Sequence, residues 1–122
     1  MENMVRIRQH GADGELFDLN TFIGDVDALI SVDEWQVSVS ECLGDGATDV
    51  EALGVSRPGL VASKDLRALY EHVYQTIDGE FIGLRAGKEC CRLVAVDSSY
   101  WEIVGPVEFE ANFLLKYGPY VK

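Results

Sequence analysis

The chain has 122 residues, the size of one ordinary domain, and area scaling implies that folding buries roughly two-thirds of the surface an unfolded chain of this length exposes. Its residues are 48% apolar and 25% charged, a globular composition that excludes disorder over most of the length. The formal net charge of −11, from 21 acidic against 10 basic side chains, repels phosphate backbones and argues against direct nucleic-acid binding.

The first residues, Met1-Glu2-Asn3-Met4, open on an acid, and Val5 and Ile7 then alternate with Arg6 and Arg8. This is not the basic start and unbroken apolar run of a secretory signal, so a cytoplasmic location is expected. No run approaches the ~18 consecutive apolar residues of a membrane helix, and no membrane association is expected. The cysteines, Cys42, Cys90 and Cys91, are odd in number, and the adjacent pair would point to opposite faces of a strand. Reduced, structurally ordinary thiols are expected.

In chain order, residues 4 to 8 alternate apolar and charged, which predicts a half-buried strand ending before a turn at Asp13-Gly14. From Leu16 to Ile30 the apolar residues recur three or four apart, which suits a helix or two short turns interrupted near Gly24. Trp35, Val37 and Val39 alternate with Gln36, Ser38 and Ser40, the pattern of a strand with one wet face. Gly44 to Asp49 is turn chemistry and Arg57-Pro58-Gly59 is a second breaker, so this connection is expected to hold at most a short helix and to be mobile.

Ser63 has the chemistry of a helix N-cap, and Leu66, Leu69, Tyr70, Val73 and Ile77 follow at helical spacing up to Asp78-Gly79. A middle helix over about 64–77 is predicted. Short connections at Gly87-Lys88-Glu89 and Ser98-Ser99 then join residues 80 to 86, 90 to 97 and 100 to 104 into an antiparallel three-strand meander. Pro106 opens a final helix over about 106–117, with Glu108 and Glu110 near its positive end, Lys116 near its negative end and Gly118 as the stop. The expected fold class is α+β: a single domain, 1–122, with a mainly antiparallel sheet packed by helices on one face.

Catalytic and cofactor patterns are lacking. His10 and His72 are the only histidines; His72 falls beside the apolar stripe of the predicted middle helix and His10 near a turn, and both have ordinary structural explanations. Cys42, Cys90 and Cys91 lack the paired spacing of a zinc site, and Arg92 is the one sequence neighbour able to activate the adjacent thiols. Asp97-Ser98-Ser99 contains an acid and two hydroxyls, but it falls where two strands need a turn. Gly44-x-Gly46 lacks the third glycine of a dinucleotide loop and carries Asp45, which would repel a pyrophosphate; Asp25 and Asp27 lead into Ala28-Leu29-Ile30 rather than an ion-binding loop. No cofactor, metal or catalytic residue is expected.

Charge is distributed more tellingly: from Gln9 to Ser56 there is no lysine or arginine, while acids recur throughout. We expect Asp25, Asp27, Asp33, Glu34, Asp45, Asp49 and Glu51 to form a partner-binding surface for a basic protein, although the same acidity also serves solubility. In size, charge and lack of catalytic motifs the chain resembles the small acidic immunity proteins with which bacteria neutralise their own toxins. That resemblance implies a non-catalytic inhibitor of a basic partner. The alternatives are a small ligand-binding domain or enzyme with a pocket lined by Tyr70, Tyr74, Tyr100 and Trp101, and a structural subunit that self-associates through a sheet edge or the terminal helix.

Overall fold

A computed structural model describes residues 3–55 and 59–121; Arg57 and Pro58, part of the connection expected to be mobile, lie outside the described residues. Its strands are β1 (Asn3–Arg8), β2 (Glu34–Gly44), β3 (Leu60–Ala62), β4 (Val73–Arg85), β5 (Lys88–Val96) and β6 (Tyr100–Gly105). They form a six-stranded sheet in the order β1-β6-β5-β4-β2-β3, every neighbouring pair antiparallel. Helices α1 (Leu19–Leu29), α2 (Ala47–Val55), α3 (Ser63–Tyr70) and α4 (Val107–Tyr117) complete the described elements. The α+β class, the antiparallel sheet, the terminal meander and the final helix are as the sequence predicts.

The pleat sends Val5, Ile7, Trp35, Val37, Val39, Phe81, Leu93, Trp101 and Ile103 to one face, where all are buried, and leaves their strand neighbours partly or wholly wet. Helices close over that face through aromatic contacts. Phe22 of α1 meets Trp101 edge-on at 5.1 Å between ring centroids and Phe113 of α4 at 5.7 Å, while Tyr70 of α3 meets Phe81 at 5.5 Å. Each fully buried ring contributes roughly 1.5–3 kcal/mol of transfer free energy. Where Trp35 crosses β4 the partner must be glycine, because a Cβ on Gly83 would lie 2.6 Å from Cys91 Sγ and 3.3 Å from the indole. Gly24 does not interrupt α1: it is exposed, and the buried stripe of Phe22, Ile23 and Val26 outweighs its intrinsic cost of about 1 kcal/mol.

The middle helix is shorter than predicted and requires a correction. It ends at Tyr70, and Val73 to Ile77, read from their spacing as its last turns, are the start of β4. Two causes act together. Val73, Tyr74, Thr76 and Ile77 are β-branched or aromatic, and Val73, Gln75 and Thr76 pair with Gly44, Leu43 and Cys42 at the far end of β2. Ser63 does not cap α3 through its side chain; its hydroxyl donates to the Val32 carbonyl at 2.6 Å and ties α3 to the entry of β2.

Among the described residues no helix is long and apolar enough to cross a membrane.

Candidate functional site

The acids singled out in the sequence do not share one surface. Asp33 and Glu34 stand at the start of β2 and Asp45 just beyond its end, and an eleven-residue strand at ~3.3 Å per residue separates the two groups by roughly 30 Å. Several of the acids are also spoken for internally. Asp25 is only 7% exposed and receives hydrogen bonds from the Lys116 ammonium and the Tyr117 hydroxyl, so it fastens α1 to α4 rather than lying on an exposed surface. Asp27 pairs with Arg67 between α1 and α3. Asp33 accepts the backbone N–H of Ala86 at 2.8 Å, supporting the β4–β5 turn where Ala86 adopts φ 53°. Glu51 accepts the N–H of Cys42 at 3.1 Å and ties α2 to β2. Glu34 is half-buried; Asp45 and Asp49 are exposed with no hydrogen-bond or ion-pair partner among the described residues.

Asp45 and Asp49 belong to a corner that the sheet assembles from distant segments. Leu43 pairs with Gln75 and Gly44 with Val73, leaving Tyr74 as the extra residue of an irregularity opposite them. The corner is closed by the Gly46 N–H, which donates to the His72 carbonyl at 3.2 Å. Here two large apolar side chains are exposed, Leu43 at 37% and Tyr74 at 62%. Glu41 and Asp45 stand two residues either side of Leu43, Glu71 stands three before Tyr74 and Asp49 is in the first turn of α2; all four are exposed, and neither 41–52 nor 68–84 contains a lysine or arginine. An amphipathic aromatic with an adjacent aliphatic, on segments carrying one sign of charge, has the make-up of a protein-docking anchor. Glu71 is not legible in the sequence as part of this corner, because it is the pairing of Gly44 with Val73 that brings its segment to the end of β2.

No family model, characterised protein or solved structure matches this chain.

The aromatic residues proposed to line a pocket do not converge on one. Tyr70 and Trp101 are wholly buried in the core, Tyr74 is at the exposed corner, and Tyr100 stacks on Tyr120 at 4.6 Å, at the opposite edge of the sheet. The cysteines are free: Cys42 and Cys91 are buried and Cys90 half-buried. Burial is the main cause raising all three thiol pKa values, Cys42 to about 11 with Glu51 adding to the effect, so none has the depressed pKa of a nucleophile. Among the described residues no group of histidine, cysteine and carboxylate side chains is placed to hold a metal ion.

Between the corner and β1 runs a buried polar chain. Asp18, at the N-cap of α1, accepts the Thr76 N–H at 2.8 Å and the Thr76 hydroxyl at 3.1 Å, and that hydroxyl lies 2.7 Å from Tyr70 Oη. Gln9 Nε2 donates to the Thr76 carbonyl at 2.9 Å, and Gln75 Nε2 donates to Gln9 Oε1 at 3.0 Å. This chain fixes the first residues of β4, and with them the position of Tyr74. Desolvation raises the Asp18 carboxyl to about 6, against the lowering effect of its hydrogen bonds from Thr76 and Leu19.

Proposed function

We propose that this chain is a non-catalytic binding module of the cytoplasm that docks a basic protein through the Leu43–Tyr74 corner, in the manner of an immunity-type inhibitor. The observation that carries the reading is the exposure of Leu43 and Tyr74 at a corner built from two segments that carry exposed Glu41, Asp45, Asp49 and Glu71 and lack any lysine or arginine. These carboxylates attract a cationic surface over a distance set by the Debye length, about 8 Å at physiological salt, and accelerate encounter. The apolar pair then supplies short-range burial that slows release. Salt therefore acts on the association rate, and truncation of Tyr74 on the dissociation rate.

The test begins with the intact chain as bait in a lysate of its own cells at low salt, with Asp45→Asn/Asp49→Asn and Tyr74→Ala baits in parallel. Any protein retained by wild type and lost from the variants is then purified and its kinetics are measured at two salt concentrations. The expected result is a stoichiometric complex with a basic protein, slower to form at high salt and in the Asp45→Asn/Asp49→Asn variant, and faster to dissociate in Tyr74→Ala. Glu108→Gln/Glu110→Gln, at the start of α4, is the control that should leave both rates unchanged. Retention of nothing basic, or equal effects of the corner and control replacements, would make the acidity a solubility device and end the proposal.

A further inference from the structure

At the other edge of the sheet, four strand spacings or about 19 Å from the acidic corner, the residues just past Tyr117 run back along β1. The Arg8 N–H donates to the Gly118 carbonyl at 3.3 Å and the Tyr120 N–H to the Arg6 carbonyl at 3.0 Å, so this segment covers the β1 edge as a short added strand. A cleft of about 390 Å³ opens there, lined by Arg8, His10, Ser99, Pro119, Tyr120 and Val121. We infer that this cleft binds a small organic phosphate monoester.

The guanidinium of Arg8 is the first reason. Although the chain carries a net charge of −11, Arg8 has no carboxylate partner among the described residues, while Arg6 pairs with Glu102 and Arg67 with Asp27. Arg85, Lys64 and Lys88 are also without an ion pair, but they are exposed on a turn or helix surface, whereas Arg8 is half-buried. The guanidinium lies close against the backbone at Gly118, where a Cβ would fall 2.9 Å from its Nη2 and 3.2 Å from its Nε and where φ is 80°, a value that favours glycine.

Convergence is the second reason. Ser99 is anchored by its carbonyl, which accepts the Gln9 N–H at 3.4 Å, and it follows a turn in which Asp97 and Ser98 both adopt left-handed φ values of 48° and 53°. That costly turn is supported by the Asp78 carboxylate, which accepts the Asp97 N–H at 2.8 Å. Arg8, His10 and Tyr120 thus bring guanidinium, imidazole and a phenol hydroxyl to one cleft, while the Ser99 hydroxyl in its wall donates to the Asp97 carbonyl at 3.2 Å. A planar carboxylate offers two oxygens to such a set, whereas a phosphate monoester offers three in a tetrahedral array. Pro119, Val121 and the Tyr120 ring provide apolar wall for an organic body, and the volume falls in the range of small-molecule sites rather than of a bare ion.

The isotope-labelled full chain, titrated with phenyl phosphate, inorganic phosphate, benzoate and a phosphoserine peptide while amide shifts are followed, tests the inference. Saturable shifts at His10, Ser99 and Tyr120 are expected with phenyl phosphate, weaker ones with inorganic phosphate, and an affinity loss of about ten- to hundredfold in Arg8→Gln. Because Arg8 also lies against Gly118, His10→Ala, a change at an exposed position, provides a second variant, expected to bind severalfold more weakly with an unchanged thermal midpoint. Benzoate binding as tightly as phenyl phosphate overturns the choice of ligand, and a phosphoserine peptide binding more tightly overturns the small-molecule reading. Unchanged binding in both variants, or no saturable shift at all, overturns the site.

Discussion

Asp18 offers the sharpest test of the physical reasoning, because two opposing effects on one carboxyl can be weighed. It is 4% exposed, so ionisation there lacks most of its hydration, while hydrogen bonds from Thr76 and the N-terminal end of α1 favour the anion. The helix end contributes about 0.3–1 kcal/mol. Desolvation is the larger effect and raises the carboxyl from 3.8 to about 6. A carboxyl raised on folding binds its proton more tightly in the native than in the unfolded state. Stability therefore falls as pH rises from about 4 to about 6 and stays level above that, a loss of about 3 kcal/mol at 1.36 kcal/mol per pH unit. Asp18→Asn keeps the shape of the protonated acid and cannot ionise. Urea unfolding, followed by the fluorescence of buried Trp35 and Trp101, should find the two proteins about equally stable near pH 4 and the variant about 3 kcal/mol more stable at pH 7.5. Taking the difference between them cancels the titration of the other acids. A difference that does not change with pH, or a variant that is the weaker at pH 7.5, would refute the argument and mean that the hydrogen bonds and helix end hold Asp18 ionised.

Asp25→Ala should lower stability by about 2 kcal/mol, since it removes charge-assisted hydrogen bonds at a buried carboxylate, while leaving the partner association rate unchanged; denaturant melts and binding kinetics on the same preparation check both. Phe113→Ala should cost about 3–5 kcal/mol, because the ring is wholly buried among Phe22, Phe109 and Tyr117; a loss below 1 kcal/mol in urea unfolding would show that the helix layer collapses around the void.

What the sequence determined by itself was local. Alternation along residues 4 to 8 and 35 to 39, turn residues between the last strands, and the Pro106-to-Gly118 helix signals are short-range patterns whose physical cause lies within a few residues of the backbone, and each element stands where its pattern predicts. Tertiary structure decided whatever depended on a distant partner. Val73 to Ile77 carry a helical spacing, yet they extend β4 because Cys42 to Gly44 and Asp18 supply hydrogen bonds that a helix there would forgo. The acidity was legible as a sum but not as a surface. Asp25 and Asp45 are equivalent in composition, but the fold buries one beneath α4 beside Lys116 and leaves the other exposed at a corner with Tyr74. The cleft at Arg8 left still less trace, since its walls come from the end of β1, a strained turn and the segment after α4, which only sheet pairing brings together. Charge and periodicity are carried by the chain in any conformation, whereas burial and proximity are created by folding, so the acids of one run acquired different roles only when the sheet closed.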